Sequence, residues 1–141
     1  NNILNIGEIA NITITEDEKK LWNKDKIYSY DIGPGNCLID EWIRNNTKDK
    51  FDNNGDIAKK GKTNELILNQ ALDNFENRTN QSTLSFDTKD FSLGFVRGLS
   101  LEDGSATITD FTGTVIVHEL LRFLSKEQDK SWRVLVCGGH Y

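Results

Sequence analysis

Apolar and polar positions alternate over the first fourteen residues, with a break at Gly7. Ile3–Ile6 and Ile9–Ile14 therefore predict two strands joined by a tight turn. In the second, Ile12 and Ile14 are interleaved with Asn11, Thr13 and Thr15, the period-two signature of a half-buried strand. A charged connection, 16–25, carries Leu21-Trp22 as residues able to pack back on the sheet, and Ile27–Tyr30 predicts a third strand. The period then changes. Leu38, Ile39, Trp42 and Ile43 recur at helical spacing and predict a first helix that fades at Asn45-Asn46-Thr47. Lys48–Lys62 is polar throughout and reads as a long loop. Thr63 is a suitable N-cap for a second helix carrying Leu68, Ala71, Leu72 and Phe75.

Residues 78–98 show no period, and Phe86, Phe91, Leu93 and Phe95 are their expected anchors. Asp103-Gly104-Ser105 marks the expected start of a third helix. Its residues Ile108, Phe111, Val115, Ile116, Leu120, Phe123 and Leu124 are apolar almost all round, which predicts the most buried helix and an apolar surface that drives self-association. His118 falls in it and reads as a core or interface histidine. Residues 132–137 predict a last apolar strand. Three strands, about three helices and a late strand define an α/β layered domain.

A chain of 141 residues suits one domain and buries roughly 68–70% of its unfolded surface. The net charge of −5 argues against a nucleic-acid partner, which demands a clustered basic surface. No apolar run approaches the roughly 20 residues that cross a bilayer. Two cysteines, Cys37 and Cys137, are too few for a disulfide framework, and no Cys/His spacing suits zinc, so no metal site is expected. Both cysteines are expected to be small buried apolar residues, reduced as in a cytoplasm.

Candidate chemistry centres on Asp31-Ile-Gly-Pro-Gly-Asn36, a carboxylate followed by a stiffened glycine turn leading into the first helix. That order places Asp31 at the carboxyl end of a strand, beside free N–H groups of a helix start, where α/β sheets bind ligands and anions. A plain structural turn capped by Asp31 explains the same residues equally well.

Three further segments accompany it: Asn5-Ile-Gly-Glu-Ile-Ala-Asn11, Gly55-Asp-Ile-Ala-Lys-Lys-Gly61 and Val134-Leu-Val-Cys-Gly-Gly139. In this order the four motifs resemble the second half of the anhydro-N-acetylmuramic acid kinases, sugar kinases of the actin/hexokinase-like ATPase superfamily, whose pattern is NIGGIAN, DTGPGN-LID, DGxxAxxG and CGGG. The resemblance covers nearly all of residues 1–141. It implies a ribonuclease-H-like lobe with a mixed sheet, built from a three-stranded meander plus a late parallel strand. It also implies one lobe of a two-lobed kinase, the first lobe with its GxSxDG loop and the C-terminal tail lying outside the chain.

The implied reaction is ATP-dependent phosphorylation of 1,6-anhydro-N-acetylmuramic acid with ring opening, in the recycling of bacterial peptidoglycan, with ATP and Mg²⁺ as cofactors that are not expected to bind tightly to this chain alone. Asp31 would be the catalytic base, with Gly33, Gly35 and Asn36 in the active-site turn. Asn5 and Gly7 would form a phosphate-contacting turn, and Gly138 and Gly139 an adenosine-contacting one. The sequence departs from the family pattern at Glu8, which puts a carboxylate where a phosphate should approach; such a pair costs about 1 kcal/mol in water and roughly 4 at a protein surface. It departs again at Ser82–Ser85, where a lysine and two prolines are missing, and at His140. A catalytically silent domain of the same superfamily, acting as a binding or oligomerisation module, therefore remains open beside the kinase. The isolated chain is expected to be inactive, its partners being a sugar, a nucleotide, and a first lobe or a second copy of itself.

Overall fold

The computed structural model describes residues 2–15, 27–79, 91–124 and 133–139. Four strands, β1 (Asn2–Ile6), β2 (Ile9–Thr15), β3 (Ile27–Pro34) and β4 (Val134–Cys137), form one sheet in the order β3-β2-β1-β4. β1 and β3 each run antiparallel to β2, and β4 runs parallel to β1. The carboxyl ends of β1, β3 and β4 therefore share one edge. Four helices accompany the sheet: α1 (Cys37–Asn46), α2 (Asp56–Lys60), α3 (Glu65–Thr79) and α4 (Leu101–Leu124). The domain is a mixed α/β fold.

One face of the sheet is covered. Leu4, Ala10, Ile12 and Ile32 are buried against Ile116 of α4, with Tyr30 and Val134 at the margin. A second cluster joins α1, α3 and α4 through Leu38, Trp42, Ile43, Leu68, Ala71, Phe111 and Val115. Close approach is enforced by small residues. A Cβ on Gly33 would lie 2.5 Å from Cγ1 of Val115, so α4 sits directly on β3. Gly104 faces the indole of Trp42 at a calculated Cβ distance of 2.3 Å, and the Trp42 Nε1–H donates to the Leu101 carbonyl at 3.0 Å.

Several expectations are corrected. The 48–62 segment is not a plain loop: it contains a 3₁₀ turn, Asn53–Gly55, and α2. Five residues are too few to show an apolar period, and the helix is instead started by Asp52, whose Oδ1 and Oδ2 accept the N–H groups of Ile57 (2.8 Å) and Ala58 (2.9 Å). The cap of α3 is Asn64, which accepts from Ile67 N–H at 3.1 Å; Thr63 instead donates to Ala106 and Asp110 of α4.

α4 begins two residues before its expected start, because Ser100 Oγ accepts the Asp103 N–H at 3.1 Å. Gly104–Ile108 are buried, but Val117 and Leu121 are 54% and 57% exposed, so the helix is not enclosed along its length. His118 is a surface residue, 64% exposed and 3.7 Å from Glu119, not a core histidine. Cys37 is buried, whereas Cys137 is exposed, because β4 is an edge strand whose far face nothing described covers. The Leu21-Trp22 contact, Phe86 and the Ser82–Ser85 departure lie outside the described residues.

Candidate functional site

β3 continues through Asp31 to Pro34, so Asp31 is a mid-strand residue paired with Asn11, not a residue of the turn. Pro34 is tolerated because β3 is an edge strand, with no partner beyond it among the described residues. The turn proper is Gly35-Asn36. It interlocks with the β1–β2 hairpin tip: Gly35 N–H donates to Glu8 O at 3.0 Å, Asn36 N–H to Gly7 O at 2.7 Å and Cys37 N–H to Glu8 O at 3.1 Å. A Cβ on Gly35 would sit 2.1 Å from the Gly7 oxygen, so only glycine fits there. The expectation of free N–H groups at the start of α1 is thereby overturned for these three residues. They serve the hairpin tip instead of an anion.

Register supplies what the local motif does not. Cys137 pairs with Asn5, Asn5 with Asn11, and Asn11 with Asp31, giving one row across four strands. Leu4, Ile12 and Tyr30 occupy the adjacent positions on the covered face, so the row lies on the opposite face. Three strand spacings make the row about 14 Å from end to end. Thr13 and Ser29 are hydrogen-bonded on the same polar face at 3.2 Å.

At the Cys137 end of this row, the shared edge opens into a cleft of ≈ 370 Å³, within the range of small-molecule sites. Phe51–Gly55 form one wall and Val136–Gly139 the other, with Ile6 and Asn36 between. Gly138 and Gly139 have φ of +89° and +92°, and a Cβ on Gly138 would meet Asn5 Oδ1 at 2.3 Å and Ile6 O at 2.7 Å. At Gly138 and Gly139 that wall is bare backbone. On the other side Asn54 and Gly55 are consecutive left-handed residues, φ +57° and +67°.

Of the residues singled out from sequence, Asn36, Gly138 and Gly139 line the cleft and Asn5 touches Gly138. Gly7 and Gly35 build the interlock beside it. Gly33 lies apart, under α4, and Asp31 stands at the far end of the row. Two contributors had escaped notice as site residues. Asn11 had been visible as a polar partner in a strand alternation and as the last residue of the Asn5–Asn11 motif, but with no site role. The Asp52–Gly55 wall carried its signal in the Asn-Gly dipeptide, the preferred pair for left-handed turns. Electrostatically, the Cys37 thiol is pushed up from 9.0 to about 11 by burial and then by the charge of Glu8, which places Glu8 near the start of α1. Among the described residues no three His, Cys, Asp or Glu side chains form a metal-binding group, and no helix is long and apolar enough to cross a membrane.

A polar row leading from a glycine-walled cleft to a carboxylate, on an α/β sheet, is an arrangement suited to group transfer. The sequence profile of the anhydro-N-acetylmuramic acid kinases matches residues 1–141, and the chain belongs to that family. The anhydro-N-acetylmuramic acid kinase of Pelagibacter ubique is 50% identical over 137 residues, a match covering 97% of this chain and 36% of the relative. The kinases of that name from Photobacterium profundum and Zymomonas mobilis are 34% and 36% identical, again over 97% of the chain and over 37% and 35% of their own lengths. The chain thus spans little more than a third of the relatives that it matches.

Proposed function

We propose that this chain is the catalytic-base lobe of a cytoplasmic kinase that phosphorylates 1,6-anhydro-N-acetylmuramic acid at the expense of ATP, opening its anhydro bridge, in peptidoglycan recycling. The observation that carries the reading is the row Cys137–Asn5–Asn11–Asp31, which links a nucleotide-sized cleft to a carboxylate across the uncovered face. The strand order and the parallel β1–β4 pair support assignment of the domain to the ribonuclease-H-like lobes of the actin/hexokinase-like superfamily.

In this reading Gly138 and Gly139 admit the nucleoside, Asn5 and the Gly7 tip face the phosphates, and Asp31 receives the proton of the water that attacks the anomeric carbon. The released 6-oxygen then takes the γ-phosphoryl group. Asp31 is held by strand pairing and is half-buried, on a face that no described helix packs upon, so it is positioned yet accessible, as a general base must be. Mg²⁺ fits as an ion that arrives with the phosphates, since it binds through few carboxylates and retains water. It supplies charge neutralisation on the transferred group.

In an enzyme assembled from this chain and a first lobe of the family, Asp31→Asn should lower turnover by roughly 10²-fold or more, the usual contribution of a general base. Nucleotide affinity should be unchanged. Full turnover in that variant removes Asp31 from the chemistry.

A further inference from the structure

Given the nucleotide-binding reading above, on which it rests, we infer that the Asp52–Gly55 wall recognises the nucleoside end of the nucleotide, with Asn54 as a specificity-determining residue and Asp52 as the residue that positions it. The charge of the cleft argues for the nucleoside end. Among the described residues that line it there is no lysine, arginine or histidine, and one lining residue is the carboxylate Asp52. A phosphate chain placed here would gain no cation and meet a like charge. A planar base with a sugar is suited by the apolar Phe51 and Val136, the bare backbone of Gly138–Gly139 and neutral amides.

Asn53 and Asn54 present exposed side chains on this wall. Each amide carries a paired donor and acceptor, the pattern that reads the edge of a base. Their placement depends on Asp52. Its two oxygens hold the N–H groups of Ile57 and Ala58, while its carbonyl accepts the Gly55 N–H at 3.1 Å. These three bonds bracket the left-handed Asn54–Gly55 pair and fix the direction in which Asn54 leaves the backbone. α2 in turn is seated on α4: a Cβ on Gly61 would fall 1.9 Å from the Glu102 carbonyl oxygen. The wall therefore stands on the domain's main helix.

The test is competition of ADP and GDP against a fluorescent adenine nucleotide on the enzyme assembled from this chain and a first lobe of the family. The unmodified chain should prefer ADP. Asn54→Gly keeps the left-handed backbone and removes only the amide; it should weaken ADP about 5- to 10-fold and bring the ADP/GDP ratio toward one. Asp52→Asn should do the same, because an amide offers one acceptor oxygen where two N–H groups point. Gly138→Val, whose Cβ would press on Asn5 Oδ1 and the Ile6 oxygen and so displace the opposite wall, serves as the control for the nucleotide-binding reading itself. If the assembled enzyme binds no ADP, or if its Gly138→Val form binds it normally, that reading falls and the inference with it. If Gly138→Val abolishes binding while Asn54→Gly leaves both affinity and ratio intact, the inference alone is wrong. Equal losses of ADP and GDP in both wall variants also overturn it, since a purely structural wall would behave that way.

Discussion

The two faces of the sheet are made from alternate residues of the same strands, yet they obey different rules. On the covered face Leu4, Ala10, Ile12 and Ile32 meet α4 with almost no solvent contact, and Ile12 is 0% exposed. On the other face their neighbours Asn5, Asn11 and Asp31 form a polar row that nothing described packs upon. Burial decides residue identity on the first face, through shape and volume. On the second it does not, so polar residues there are free to be chosen for chemistry. A one-residue displacement along a strand separates a packed face from a polar one.

The sharpest way to break that contrast is to truncate neighbours. Ile12→Ala should cost about 2–5 kcal/mol of folding stability by denaturant titration, the range for large-to-small changes in a filled core. Asn11→Ala, one position away, should cost less than about 1 kcal/mol. Comparable losses would mean that the polar face is also structural. Next in size is Asp31→Asn, for which the melting temperature should stay almost unchanged even though turnover falls. A sharp loss of stability would make it a packing residue.

Gly33→Ala should then cost about 1–3 kcal/mol by overpacking, because its new methyl enters the space of Val115. Val115→Ala in the same chain should recover part of that loss, which a double-mutant cycle would measure. The smallest effect concerns pH. The Cys37 thiol is raised from 9.0 in the folded state, so the folded protein holds its proton more tightly than the unfolded chain does. The resulting stabilisation is complete below about pH 9 and is lost as pH rises toward 11. Melting curves of Cys37→Ala should decline less steeply over that interval. Glu8→Gln should lower the thiol's pKa only slightly, because burial is the larger cause.

Much of this architecture was legible in advance, for reasons visible in particular residues. The alternation of Ile12 and Ile14 with Asn11 and Thr13 reports a half-buried strand directly. The helical spacing of Leu38, Trp42 and Ile43 reports α1 equally well, because all three are buried. What escaped depended on distant partners. β3 runs through a glycine and a proline because Val115 crowds Gly33 and no described strand lies beyond Pro34, and neither fact is local. α2 rests on a capping carboxylate four residues ahead of it. Exposure of Cys137 and His118 follows from the edge position of β4 and from the outward side of α4, which apolar neighbours in sequence could not reveal. Asp31 was singled out from its motif, but its place in a row with Asn11 and Asn5 needed the register.

The interlock between the hairpin tip and the Gly35-Asn36 turn has a consequence for how the site comes into being. Its bonds join residues about thirty positions apart in sequence, so they close only after β1, β2 and β3 have met. Asn36, whose side chain donates to the Ile6 carbonyl at 3.2 Å, takes up its cleft position in the same event. The cleft floor is therefore absent from any partly folded chain with a free hairpin. Amide exchange at Asn36 should report the opening of this clasp, and a ligand in the cleft should slow it.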